Sequence, residues 1–297
     1  MKLCLGTVQF GMDYGVQGGL RPLEEAVSKM LSLALDKGID HFDTAPVYGN
    51  AEEILGDYRK NNPDNAGKMQ IVSKLSSEAF TGKEKSLWAD IAVKHAEAGL
   101  RRLRISELEA FLFHNAEYIF DENAVQALCT VCQRHMAKKI GVSIYSPQEA
   151  MKALDYEEIK VIQIPYNAFD QRLDKCGFFE KAERKGVEVY ARSSLLQGLM
   201  MMEPERLPNR MQFAKKYLEI FKAVCREYQI SPLKAAVGYV ARHPGIDYVV
   251  FGVDNEMQLS EYLSIQGEGI PEDMVNVLQK EFENAEERLV NPALWEE

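Results

Sequence analysis

The sequence has neither an excess of positive charge nor a long apolar segment. Its 35 Lys and Arg residues are outnumbered by 45 Asp and Glu residues, which gives a net charge of −10. Proteins that bind nucleic-acid phosphates present basic patches, so we expect no nucleic-acid partner. No window approaches the roughly 18 apolar residues of a membrane span, and we expect no membrane segment. The first residues, Met1 to Gly6, also lack the apolar run of a secretory signal.

Cysteine is scarce, and its spacing does not suggest a disulfide framework. The chain has five cysteines, and an odd count without a secretory signal predicts reduced thiols in a cytoplasmic protein. Cys129 and Cys132 have the C-x-x-C spacing of some redox and metal sites. They fall inside a helical pattern, however, and no second pair of ligands accompanies them. We therefore expect two small helix residues there, and no metal site.

Short apolar runs alternate with longer amphipathic stretches along the chain. We predict strands at residues 3–6, 39–42, 70–73, 108–113, 139–143, 161–164, 187–191 and 248–251. We predict helices at residues 23–37, 51–59, 87–103, 122–135, 147–154, 176–185, 210–228 and 257–263. This alternation predicts a parallel sheet, because parallel neighbours are joined by crossover connections that are usually helical.

Eight strand–helix units fit a closed (β/α)8 barrel, the TIM barrel, which takes about 250 residues as one domain. An open doubly wound sheet is the alternative, and it would carry G-x-G-x-x-G directly after the first strand. The sequence there, from Gly11 to Gly15, does not fit that pattern. We predict a single α/β barrel domain over residues 1–297, with extra helices starting at Ser231 and covering about 271–288.

The segment from Gly38 to Glu52 ends a predicted strand in Asp43 and places Tyr48 in the loop that follows. Loops at the carboxyl ends of the strands carry the chemistry of α/β barrels. The segment reads G-I-D-H-F-D-T-A-P-V-Y-G-N-A-E. It resembles the early signature of the aldo-keto reductase family, G-x-x-x-F-D-T-A-x-x-Y-G-x-x-E. This resemblance implies a (β/α)8 barrel that reduces an aldehyde or ketone with NADPH or NADH.

Two further polar residues lie at predicted strand ends. Lys74 closes the third strand and His114 follows the fourth. Taken alone, the lysine could extend to solvent and the histidine could be structural. At a shared rim Asp43 can pair with Lys74, and the cation would lower the pKa of Tyr48. The resemblance matches Asp43, Tyr48, Lys74 and His114 to the family's catalytic residues, with Tyr48 as proton donor and His114 orienting the carbonyl.

The resemblance also implies a nicotinamide site at the ends of the later strands. Ser143 and Gln163 match residues that hold the carboxamide, whereas Ile144 replaces the usual asparagine. A glutamine in an apolar strand is costly without a partner, which favours a functional Gln163. Arg192 stands where the family commonly stacks an aromatic ring, and a guanidinium can stack as well. The predicted cofactor contacts are Gly6, Thr7, Ser143, Gln163, Arg192, Ser193, Leu195, Gly198, Gly252, Gln258 and Glu261.

The segment after the eighth strand bears on which cofactor is used. Residues 252–261 resemble the family's P-G-x-x-x-x-x-x-L-x-E-N segment around the adenosine, with Glu261 near the adenine. The family usually holds the 2′-phosphate of NADPH with Lys or Arg there, but Gly252 and Gln258 occupy those positions. The segment contains no Lys or Arg and three acidic residues. We predict a weakened preference for NADPH, with NADH used comparably or better.

Rim loops set specificity in barrels, and we assign Phe10, Met12, Tyr14, Val47 and Met200 to the substrate pocket. The run from Leu195 to Met202, which includes Met200, could equally pack beneath a loop.

The first predicted strand starts at residue 3, so we expect the hairpin that often plugs the family's barrel floor to be absent. Two alternative functions remain open. Lys74 could form a Schiff base with a carbonyl substrate, as in aldolases. The departures at Ile144 and Arg192 also fit a non-catalytic regulatory subunit that binds the cofactor.

Overall fold

A computed structural model describes residues 2–16 and 18–295, and in it eight parallel strands close into a barrel in sequence order. The strands are β1 Lys2–Gly6, β2 His41–Asp43, β3 Gln70–Leu75, β4 Leu108–Phe113, β5 Ala137–Ser143, β6 Ile159–Pro165, β7 Glu188–Arg192 and β8 Tyr248–Phe251. The barrel closes where β1 pairs with both β2 and β8, with Cys4 opposite His41 and Lys2 opposite Tyr248. The predicted (β/α)8 barrel is confirmed, and the open sheet is excluded.

Helices connect the strands and cover the outside of the barrel. They are α1 Val8–Gly11, α2 Glu24–Asp36, α3 Ala51–Asn61, α4 Pro63–Ala66, α5 Trp88–Leu103, α6 Glu122–Gln133, α7 Pro147–Ala153, α8 Phe178–Lys185, α9 Lys215–Glu227, α10 Pro232–Ala241, α11 Glu256–Ser264, α12 Glu272–Phe282 and α13 Glu287–Val290. Short 3₁₀ turns occupy Lys85–Leu87, Ala116–Phe120, Arg172–Lys175, Leu199–Met201, Pro204–Arg206, Asn209–Ala214 and Pro292–Leu294. None of these described helices is long and apolar enough to span a membrane.

Several element ends differ from the prediction. β3 continues through Lys74 to Leu75, because the polar side chains there find buried partners that hydrophobic periodicity does not reveal. The predicted helix 210–228 begins as the 3₁₀ turn Asn209–Ala214 and becomes α-helical only at Lys215. The predicted helix 271–288 is broken into α12 and α13. These changes leave the order of strands and helices intact.

The apolar core has two parts, one inside the barrel and one between the barrel and the helices. Small and aromatic side chains fill the barrel interior, including Cys4, Val72 and Tyr190. Cys129 and Cys132 lie on α6 with free thiols, as expected. Among the described residues no cluster of His, Cys, Asp or Glu side chains is placed to hold a metal ion.

The glutamate that ends the early motif anchors α3. Glu52 is only 2% exposed and accepts a hydrogen bond of 2.6 Å from the Ser73 hydroxyl of β3. Its second oxygen lies 2.6 Å from the guanidinium of Arg102 on α5. A buried carboxylate needs such partners. Glu52 thus ties the helix that follows the Tyr48 loop to both a strand and a neighbouring helix.

The crossing of α3 and α5 gives a test of this packing. A Cβ on Gly56 would overlap the carbonyl oxygen of Arg102, so the two helices touch backbone to backbone. We expect Gly56→Ala to destabilise the protein by about 1–3 kcal/mol, because overpacking outweighs the better helix propensity of alanine. Chemical denaturation measures this. Gly67→Ala is the control, since nothing lies within 4 Å of its Cβ; an equal effect of both changes would contradict the close crossing.

Candidate active site

A buried ion pair joins the ends of β2 and β3. The Lys74 Nζ donates hydrogen bonds to both Asp43 carboxylate oxygens, at 2.8 and 2.9 Å, and to the Thr44 carbonyl oxygen at 3.0 Å. Lys74 is fully buried. Burial alone would lower the pKa of Lys74, but the charges and hydrogen bonds of Asp43 and Tyr48 raise it above its ordinary value. The amine is therefore held as an ammonium.

Tyr48 completes this cluster from the loop after β2. Its hydroxyl lies 3.3 Å from the Lys74 Nζ. The loop is held by close contact between two glycine backbones, because a Cβ on Gly11 or Gly49 would overlap the other segment. Gly49 also has a φ of +59°, a conformation that favours glycine. The glycines of α1 and of the loop thereby bring the phenol to the lysine.

The pKa of Tyr48 corrects one expectation. Burial of the phenol is the largest influence and raises its pKa; Lys74 lowers the pKa, and Asp43 raises it again. The net shift is upward, whereas the sequence argument counted only the cation. Tyr48 is therefore protonated at neutral pH, as a proton donor must be.

His114 lies on the other side of Tyr48. It directly follows β4, and its ring centre is 5.9 Å from that of Tyr48 in an edge-on arrangement. Burial, with the charges of Lys74 and Arg192, lowers the pKa of His114 to about 3. Its Nδ1 is buried and has no hydrogen-bond partner in the described part of the chain. The imidazole is neutral and can donate one N–H to a bound group.

Two predicted cofactor residues contact Asp43. The Gln163 Nε2 on β6 donates a 2.8 Å hydrogen bond to the Asp43 carboxylate. The Thr7 hydroxyl, next to Gly6 at the end of β1, donates to the Asp43 backbone oxygen at 3.0 Å. Gln163 thus has the partner that its burial requires. Both side chains fix the position of Asp43, a role that the sequence did not indicate.

Arg192 ends β7 and reaches across to the end of β5. Its Nε donates to the Ser143 hydroxyl at 3.3 Å, and its Nη2 donates to the Ile144 carbonyl oxygen at 2.9 Å. The exposed ring of Tyr145 lies 4.5 Å from the guanidinium carbon. The Ile144 side chain points into the core, so only its backbone faces this site. The guanidinium therefore lies beside Ser143, which was predicted to hold the carboxamide.

The loop after β7 is shaped by left-handed backbone conformations. Ser193, Leu196, Gln197 and Gly198 all have positive φ angles. The Ser193 carbonyl accepts a hydrogen bond from the buried Asn167, and Leu195 packs partly against the main core. This loop meets the loop after β1, where the Val16 N–H donates to the Gln197 carbonyl oxygen at 3.1 Å. The two loops together border the rim at β7, β8 and β1.

The end of β8 has a free polar atom but little positive charge. The Gln9 Oε1 beside Gly252 is buried and has no partner among the residues described. The Gln258 side chain is bound to Asp254 and caps that loop. Glu261 is exposed on α11. Gln258 is thus already occupied, and residues 252–261 themselves contain no Lys or Arg.

The family follows from a comparison with known proteins. The family model described as "Aldo/keto reductase family" matches residues 2–280. The chain belongs to the aldo/keto reductase family. Among curated relatives, Aldo-keto reductase YhdN of Bacillus subtilis is 24% identical over 82% of this chain and 80% of its own length. The oxidoreductase YrpG of the same species is 24% identical over 95% and 92%.

Solved structures share the fold of this aldo/keto reductase. The thermostable aldo-keto reductase Tm1743, solved with the inhibitor epalrestat, has a TM-score of 0.69, 21% identity and 94% coverage of both chains. At this identity the likeness shows the barrel alone. Family membership makes the chain an oxidoreductase, and the roles of its site residues rest on the geometry described above.

The predicted substrate residues divide into two groups. Phe10 and Met200 are fully buried in the core between barrel and helices, which corrects their assignment to the pocket. Met12 and Val47 are 40% and 45% exposed, and Tyr14 lies partly exposed at the rim beside Gln197. An apolar residue in a loop can face either the core or a ligand, and only the path of the loop decides this.

Sequence reasoning missed Tyr145, Gln9 and the carbonyl of Thr44. Backbone oxygens carry no residue signal, and the contact of Tyr145 with Arg192 joins positions 47 residues apart. Gln9 lies close to the first strand and was a visible polar residue, but nothing in its spacing marked it.

The lowered pKa of His114 has a measurable consequence. The unfolded chain takes up this proton near pH 6.5, whereas the folded protein does so only near pH 3. The neutral His114 therefore makes its full contribution to the free energy of unfolding above pH 6.5. This contribution decreases as the pH falls from 6.5 to 3, by at most about 1.4 kcal/mol per pH unit. NMR should show that the His114 imidazole is still neutral at pH 5. The His114 signal is assigned as the one that disappears in the His114→Gln variant. Titration above pH 5.5 would contradict the buried, neutral donor.

Proposed function

We propose that the protein reduces an aldehyde or ketone to an alcohol, with NADH or NADPH as the hydride source. One observation carries this proposal: the Tyr48 hydroxyl, kept protonated, lies 3.3 Å from an ammonium held by Asp43. Membership of the aldo/keto reductase family supports carbonyl reduction in general.

Each polar side chain of the cluster has a distinct task in such a reaction. The reduced nicotinamide, when bound, supplies the hydride to the carbonyl carbon. Tyr48 donates its proton to the carbonyl oxygen, and Lys74 stabilises the phenolate that remains. Asp43 holds Lys74 in place, and the neutral His114 donates a hydrogen bond that orients the carbonyl oxygen.

Several features of the rim fit a dinucleotide. The buried Gln9 oxygen lacks a partner among the described residues, and the Gln9 amide lies directly against the backbone of Gly252, where a side chain would overlap it. We infer that this part of the dinucleotide site is bordered by Gly252, Gly198, Ser193 and Leu195. Ser143 and Arg192 border the nicotinamide end, and Gly6, Gln163 and Thr7 support that end through Asp43.

The Schiff-base alternative fits the lysine poorly. A Schiff-base lysine needs a free amine, which a lowered pKa provides. The Lys74 pKa is raised instead, and its Nζ donates to three oxygen atoms besides that of Tyr48. The non-catalytic alternative is based on the departures from the family pattern at Ile144 and Arg192. Turnover of an aldehyde by protein that binds the dinucleotide would exclude this alternative.

Removing the Tyr48 hydroxyl tests the proposed acid. Tyr48→Phe should lower kcat with a simple aldehyde by about 10²–10⁴-fold, because it removes only the proton donor. The dissociation constant of the dinucleotide, measured by fluorescence titration, should stay nearly unchanged. Tyr156→Phe makes the same chemical change at the opposite end of the barrel and serves as the control. More than a tenth of the turnover remaining, with chemistry rate-limiting, would show that Tyr48 is not the acid.

The cofactor preference gives a second test. We expect NADH to bind as tightly as NADPH or more tightly, because residues 252–261 hold no Lys or Arg and Gln258 is bound to Asp254. Two distant arginines, Arg192 and Arg242, are candidates for the 2′-phosphate. Arg242 ends the helix before β8 and binds Ile270 at the other end of the barrel, whereas Arg192 binds Ser143, Ser193 and Ile144. A charged hydrogen bond is worth about 1.5–3 kcal/mol, roughly 10–100-fold in affinity.

Dissociation constants of both dinucleotides measure this preference. Asp254→Asn should tighten NADPH binding and leave NADH binding unchanged, since it removes one negative charge from the loop. Glu268→Gln, a matched change on the distant end of the barrel, should alter neither. NADPH binding more than about tenfold tighter than NADH in the unaltered protein would refute the preference and leave the reductase assignment standing.

A further inference from the structure

Arg192 is a half-buried cation without a carboxylate partner. Its guanidinium contacts the Ser143 and Ser193 hydroxyls and the Ile144 carbonyl oxygen, which are all neutral acceptors. Among the described residues no Asp or Glu forms an ion pair with it, whereas Arg102 and Arg172 are each paired with a buried carboxylate. A cation withdrawn from water without a counter-charge is costly. The site thus retains a positive charge that the protein itself does not balance.

Arg192 retains unused hydrogen-bond donors. A guanidinium carries five N–H donors, one on Nε and two on each terminal nitrogen. Nη1 makes one hydrogen bond, to Ser193, and Nη2 makes one, to Ile144. One donor therefore remains on each terminal nitrogen. A carboxylate or phosphate accepts such a pair of donors through two oxygens at once, which is the strong, bidentate geometry.

The charge of Arg192 is directed at the reacting region. It lowers the pKa of His114, and it also acts on Tyr48 and on Tyr14 at the rim. The other ionised side chains there, Lys74 and Asp43, neutralise each other. The Tyr145 ring, 4.5 Å from the guanidinium carbon, supports the flat face of Arg192 and helps to hold its orientation.

We propose that Arg192 binds an anionic group, a carboxylate or a phosphate, that the carbonyl substrate itself carries. The favoured substrates are then small aldehydes or ketones with an acidic group on the same molecule. This inference rests on the proposed reductase function. The attraction is local to Arg192, because the chain as a whole has a net charge of −10 and repels anions.

Matched pairs of aldehydes test this substrate class. para-Formylbenzoate is compared with its methyl ester, and glycolaldehyde phosphate with glycolaldehyde, so that carboxylate and phosphate are tested separately. The measured quantity is the ratio of kcat/KM for the charged to the neutral member of a pair. Any effect of Arg192 on cofactor binding cancels in this ratio. For at least one pair we expect kcat/KM to be more than about tenfold higher for the charged aldehyde than for the neutral one.

Substitutions of Arg192 then assign the preference. Arg192→Gln should lower the ratio by about 10–100-fold, as expected for a hydrogen-bonded charge. Arg192→Lys should lower the ratio less, because lysine keeps the positive charge but cannot form the bidentate pair of hydrogen bonds. Lys83→Gln is the control, since it removes one positive charge from an exposed loop on the same rim and should leave the ratio unchanged.

A binding measurement separates the substrate from the dinucleotide phosphates as the source of the anion. Calorimetry with para-(hydroxymethyl)benzoate, on protein saturated with oxidised dinucleotide, should show weaker binding to Arg192→Gln, with little change for the matching benzamide. An equal loss of dinucleotide affinity would assign Arg192 to the cofactor and overturn the inference. Ratios near one, or ratios unaffected by Arg192→Gln, would overturn it while the reductase function stands. No turnover of any of these aldehydes would overturn both.

Discussion

The site depends on one buried ion pair. Taking the Lys74 ammonium and the Asp43 carboxylate out of water costs several kcal/mol each, and their attraction offsets this only when the remaining hydrogen bonds are satisfied. Here they are, because Lys74 contacts the Thr44 carbonyl and Tyr48, and Asp43 accepts a bond from Gln163. Two apolar residues would fill the same space without this cost of removing charges from water. The pair is therefore better explained by what it does to Tyr48 than by stability.

The barrel could be predicted because it depends on local pattern, and the four polar residues of its rim could be predicted because the sequence resembles a family signature at the strand ends. Eight apolar runs separated by amphipathic helices, in a chain of this length, fit a closed (β/α)8 barrel. The carboxyl ends of its parallel strands meet at one rim. Asp43, Lys74 and His114 are each within one residue of a strand end. Their approach to one another therefore follows from the fold, even without knowledge of any distance.

The remaining features depend on tertiary detail that no local pattern contains. Whether Met200 faces a ligand or the core is decided by the path of a loop with several left-handed residues. Gln163 was recognised as too polar for its strand, but its partner lies 120 residues away. The direction of the Tyr48 pKa shift is a balance between burial and two opposite charges, and a sequence shows the charges but not the burial.

The charges of the site form two regions with different consequences. Around Tyr48 the charges of Lys74 and Asp43 oppose each other, and burial keeps the phenol protonated. Burial together with the charges of Lys74 and Arg192 keeps His114 neutral. A protonated phenol beside an ammonium is prepared to give up a proton, because the phenolate that forms meets a cation already in place. At Arg192 the protein leaves one charge unbalanced, and the balance must come from what binds. In the proposed reaction the first region faces the reacting carbonyl, and the second binds the anionic part of the substrate molecule.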